Sequence, residues 1–164
     1  RGVITMKKLS LAILMLGLSA VVNAAGYGVI DLEKVVESSQ YLKQQNASLE
    51  ASIKPQASKL EQLNKELAAL QKQSQTQGTN LKQIETQYQA KMTEFTTLQQ
   101  SVQSRVQTTI QNTNKTFEAR VKQAAEQLRQ ENSLDLVLNK NAALAFDSKY
   151  DLTAKMIQKV NAIK

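Results

Sequence analysis

The sequence predicts a mainly α protein, a long antiparallel helical hairpin inserted in a small α/β body whose short strands assemble in an oligomer. Three observations carry that expectation. Apolar residues recur every three or four positions through most of residues 40–132, the period of an amphipathic helix. A single turn-like cluster, Ser74 to Asn80 (SQTQGTN), interrupts them. Two strand-like runs, Tyr27 to Leu32 and Leu134 to Leu138, lie more than 100 residues apart on either side of the helical region.

Composition agrees. Aromatic residues make up 4% of the 164-residue chain and Trp is absent, so one large globular core is not expected. The abundance of Gln, Lys, Ala, Leu and Ser suits long helices with a narrow apolar stripe. The chain has no Cys and no His. That excludes disulfides, thiol and serine–histidine chemistry, and the common soft-metal sites. The few glycines form no phosphate cradle. Neither an enzyme nor a cofactor is expected.

Taken in order, the elements begin with an export signal. Lys7 and Lys8 follow Met6, an apolar run spans Leu9 to Val22, and Val22-Asn23-Ala24 places small residues on the cleavage side. This is the architecture of a bacterial secretory signal peptide. At 14 residues the run falls short of the ~20 needed to span a bilayer. Residues 1–24 are therefore expected to leave by a cut after Ala24, with residues 1–5 an upstream extension before the natural Met6. Cleavage leaves 18 Lys and Arg against 14 Asp and Glu, about +4, too mild a balance for nucleic-acid binding.

Tyr27 to Leu32 (YGVIDL) reads as a strand whose Asp31 caps a short helix, Glu33 to Glu37. Ser38-Ser39 breaks it. In the first long helix Leu49, Ile53, Leu60, Leu63, Leu67 and Leu70 form a seam on 3–4 spacing, with Gln56 the polar exception. Pro55 predicts a kink near Ser52 to Pro55 rather than a boundary. Gly78 suits a turn needing positive φ, and Asn80 with Gln83 is an N-cap signal. The seam resumes at Leu81, Ile84, Tyr88, Met92, Phe95 and Leu98 and runs through Val102, Val106, Ile110, Thr113, Phe117, Val121, Ala124 and Leu128. Leu134 to Leu138 predicts a strand, Asn139 to Asn141 a turn, Ala142 to Phe146 a second strand, and Asp151 the cap of a helix over 152–163. Residues 25–39 and 133–164 are thus expected to form the body, and 40–132 the arm. So small a body sits at the edge of independent stability, and oligomerisation is the available remedy.

Tyr27 to Ser39 (YGVIDLEKVVESS), the hairpin, and Leu134 to Lys164 together resemble the Skp/OmpH family of periplasmic chaperones. The C-terminal pattern is the more specific: Asp135-Leu136-Val137-Leu138, a small-residue segment ending in Phe146, then Asp151-Leu152-Thr153. The resemblance implies a periplasmic homotrimer with helical tentacles around a cavity. It implies an ATP-independent holdase that binds unfolded outer-membrane proteins and keeps them soluble until insertion. It assigns the oligomer body to Val29, Ile30, Leu136, Val137, Leu138, Leu144 and Phe146.

Diffuse client contacts are expected on the distal arm, at Leu81, Ile84, Tyr88, Met92 and Phe95, with Lys65, Lys72, Lys82 and Lys91 supplying attraction for acidic clients. Hairpin core and solvated helix faces are the bland explanations for the same residues. A coiled-coil adaptor and an envelope or lipopolysaccharide binder are the competing functions; Lys is spread around the helices, so no lipopolysaccharide site is carried over. Asn46-Ala47-Ser48 and Asn114-Lys115-Thr116 match the glycosylation sequon by coincidence.

Overall fold

A computed structural model describes residues 26–76, 78 and 80–164. The expected export signal lies outside these described residues. The order is β1 (Tyr27–Ile30), α1 (Leu32–Glu37), α2 (Gln40–Ser74), α3 (Leu81–Glu131), β2 (Leu136–Asn139) and α4 (Thr153–Ala162), with single 3-10 turns at Lys140–Ala142 and Ser148–Tyr150.

The body forms because β1 and β2 pair in parallel, Tyr27 opposite Leu136 and Ile30 opposite Asn139. Parallel strands require a crossover, and here the whole hairpin supplies it. On its other side β1 makes a bridge from Val29 to Asp151. Asp31 ends β1 and caps α1, its side chain accepting from the Lys34 N–H at 3.2 Å. The buried Ser39 caps α2 by accepting from the Leu42 N–H. A core of Ile30, Val35, Phe117, Leu128, Met156 and Val160 joins β1, α1, the base of α3 and α4.

The arm follows the predicted seam. Leu63, Leu67 and Leu70 are buried on α2, and Thr113, Phe117, Ala124 and Leu128 on α3. At 51 residues α3 is about 77 Å long, against about 53 Å for the 35 residues of α2. The excess of α3 reaches into the body. Pro55 lies within α2 and does not end it. The turn falls where the glycine placed it: Gly78 has φ 87 and Asn80 accepts from the Gln83 N–H.

Three expectations are corrected. The second strand over Ala142 to Phe146 is a 3-10 turn followed by irregular chain. Among the described residues it pairs with no strand, and its start turns instead through the Ala143 N–H bond to the Lys140 carbonyl. The β2 strand starts at Leu136 rather than Leu134, because the Leu134 N–H bonds back to the Arg129 carbonyl at 2.8 Å. The last helix begins at Thr153, and Asp151 sits one residue ahead of its cap, accepting from the Thr153 N–H at 2.9 Å.

Candidate functional site

Where α2 and α3 meet the turn, their seam opens. α2 ends at Ser74, so its last apolar residue, Leu70, faces the first turns of α3 across a cleft of about 390 Å³. The walls are Leu70, Gln71, Ser74, Leu81, Ile84, Glu85, Tyr88 and Gln89. Leu81 is 59% exposed despite occupying a seam position. The α2 residues nearest the turn that share the cleft with it, Gln71 and Ser74, are polar.

Three predicted contact residues, Leu81, Ile84 and Tyr88, therefore share one cleft. Met92 and Phe95 lie farther down the arm, half-buried in the seam and outside the cleft walls. Leu70, Gln71 and Glu85 also line it. They sit at the end of the α2 seam and in the first turns of α3, so facing ends of the two stripes were the signal that could have found them.

The four predicted lysines do not act as a set. Lys91 sits 2.5 Å from Glu66 Oε2 across the hairpin, and Lys65 sits 2.8 Å from Glu61 along α2. The Glu66 pairing raises the Lys91 ammonium above its usual range, and Lys91 with Gln62 lowers the Glu66 carboxyl. Lys65 likewise lowers Glu61. A second cross-helix pair joins Lys59 to Glu94 at 3.5 Å. Lys91–Glu66 and Lys59–Glu94 thus bridge α2 and α3 below the tip. Lys72, in the last turn of α2, and Lys82, in the first turn of α3, flank the turn and are exposed.

The predicted oligomer residues divide as well. Val29 and Ile30 are buried at 4% and 5%, inside the body core. Leu136 and Val137 are half-buried. Leu138, Leu144 and Phe146 are exposed, Leu144 completely. Among the described residues, no group of three His, Cys, Asp or Glu side chains could hold a metal ion.

Compared with known proteins, the sequence matches the family described as Outer membrane protein (OmpH-like) over residues 26–160. Among solved structures it is similar to a Caulobacter crescentus CB15 protein, crystallised as a candidate OmpH-like outer membrane chaperone. The TM-score is 0.62 at 21% identity, covering 84% of this chain and 85% of that one; at that identity the likeness is one of fold. No curated protein sequence matches the chain.

Proposed function

The chain belongs to the OmpH-like (Skp/OmpH) family, and from that premise we propose that it is an ATP-independent holding chaperone of the periplasm. It takes unfolded outer-membrane proteins and keeps them soluble until insertion. Export proceeds through residues 1–24, removed after Ala24. Residues 25–39 and 133–164 form a trimerisation body, and residues 40–132 form the arm.

The observation that carries the reading is the open cleft at the far end of a long arm, half of its walls apolar, with Leu81 more than half exposed in it. Exposed apolar surface in a designed-looking position marks a binding site. Holding by many weak contacts needs no fuel, and several arms in one assembly multiply the effect. Lys72 and Lys82 beside the cleft add attraction for acidic clients.

The test is direct. Purified mature protein is mixed with a urea-unfolded β-barrel outer-membrane protein, and light scattering is followed on dilution without nucleotide. Suppressed aggregation is expected, and Leu81→Ser with Ile84→Ser should weaken it at unchanged helicity. Scattering equal to that of the client alone would overturn the proposal.

A further inference from the structure

A second opening in the hairpin lies nearer the body and has different chemistry. There α2 and α3 part around a cleft of about 160 Å³ lined by Leu42, Gln45, Asn46, Leu49, Thr109, Ile110, Thr113 and Asn114. Three of these are aliphatic, three carry side-chain amides and two carry hydroxyls. None is charged. The surrounding helix is charge-poor too: from Phe95 to Asn114 the only charged residue of α3 is Arg105. The tip cleft, by contrast, includes Glu85 and lies next to the cross-helix ion pairs. Ile110 occupies a seam position yet is 47% exposed, and Asn46 and Asn114 stand exposed beside it.

We propose that this uncharged cleft, where Ile110 is flanked by Asn46 and Asn114, holds neutral extended segments of the client. The occupant follows from the match of charge. A charged group entering the cleft would lose hydration against walls that offer no counter-ion. A neutral aliphatic side chain meets no such cost. Its alternate side chains point to one face, so one aliphatic side chain can enter between Leu42, Leu49 and Ile110. The flanking backbone N–H and C=O groups then lie beside amides that both donate and accept. Such binding reads the backbone and not the sequence, which suits a holder of many clients. It rests on the chaperone reading and adds to it a contact that salt does not screen.

The experiment compares capture of a urea-unfolded β-barrel outer-membrane protein by the whole mature protein and by its Asn46→Ala, Ile110→Gln, Asn114→Ala variant. Capture is measured from about 0.1 M to about 1 M salt, where the screening length falls from about 10 to about 3 Å. Circular dichroism and sedimentation confirm that the variant keeps its helicity and mass. The native protein is expected to retain capture at high salt. The variant should bind about tenfold more weakly there, the scale of one buried aliphatic side chain. A photo-crosslinker at Asn46 should label the client, and one at the exposed Gln123 should not. Unchanged high-salt capture by the variant, or crosslinks from position 46 only to another copy of the chain, would overturn the cleft's role while leaving the chaperone reading intact. Failure of the native protein to capture at any salt removes both.

Discussion

At Asp31 one carboxylate serves two elements. Its Oδ1 caps α1 through the Lys34 N–H, and its Oδ2 lies 2.5 Å from the Lys140 ammonium beyond β2. The Asp31 backbone N–H donates to Thr153 Oγ1 at 2.9 Å, tying in α4. The Lys140 hydrogen bond, aided by the Lys34 N–H, lowers the Asp31 carboxyl below its usual range against the opposing effect of burial. A carboxyl lowered in the folded state contributes stability above its unfolded pKa and loses it as pH falls through the folded value. Asp31→Asn should therefore melt below the native protein at neutral pH. The difference should shrink as pH falls below the ordinary carboxylate range, because the native side chain then becomes neutral too. Paired thermal melts across that range check it; a gap that persists in acid would point to shape instead of charge. Gln56 presents the opposite case. It sits in the α2 seam between Ile53 and Leu60, and its Oε1 is buried without a hydrogen-bond partner. Gln56→Leu should raise stability by about 1–2 kcal/mol, read by calorimetry, and a lower melting temperature would show that the amide has a use in the fold.

The hairpin was legible in the sequence because two helices that bury only each other must write their contact as a periodic stripe. Leu63, Leu67, Phe117 and Leu128 are where that stripe put them, and Gly78 and Asn80 mark the turn by chemistry that few other residues supply. The end of α3 was placed at Asn132, its cap, but the way the chain leaves it was not legible. Ser133 takes φ 50, the Leu134 N–H bonds to the Arg129 carbonyl, and the Ser133 N–H bonds to the Gln130 carbonyl. That is a Schellman closure built on a serine, so the glycine that would announce it is missing. The closure also pulled Leu134 out of the predicted strand. Ser133→Gly should relieve the left-handed backbone and raise stability by about 1 kcal/mol. Slower amide exchange at Leu134 would accompany the gain, and faster exchange there would contradict it. The tip cleft was half legible: Leu81, Ile84 and Tyr88 stood out as an apolar stretch, but that the polar last turn of α2, with Gln71 and Ser74, faces them is a matter of how the helices pack. The central cleft gave no signal at all, because Ile110 is in register and only three-dimensional packing leaves it open.

For the molecule as a whole, the body lacks a cover that its own chain does not supply. β1 is paired on both sides, by β2 and by the Val29–Asp151 bridge, so the outer edge of β2 is the exposed edge of the sheet. Leu138 of β2 is 38% exposed, and in the chain that follows Phe146 is 42% exposed and Leu144 entirely. Uncovered edges with apolar neighbours invite pairing with another chain. The segment over 142–146 has a strand-like sequence yet finds no strand partner among the described residues. A neighbouring copy would offer the missing edge, and the trimer implied by the resemblance would hide these apolar residues. Leu144→Lys with Phe146→Ser should then reduce the sedimentation mass to that of a single chain. Because association stabilises by mass action, the melting temperature of the native protein should rise with concentration and that of the variant should not. The arm is packed by its own seam, so its helicity should survive the change. Native mass in the double variant would mean that the copies meet elsewhere, and a single-chain mass for the native protein would leave these exposed residues to the client.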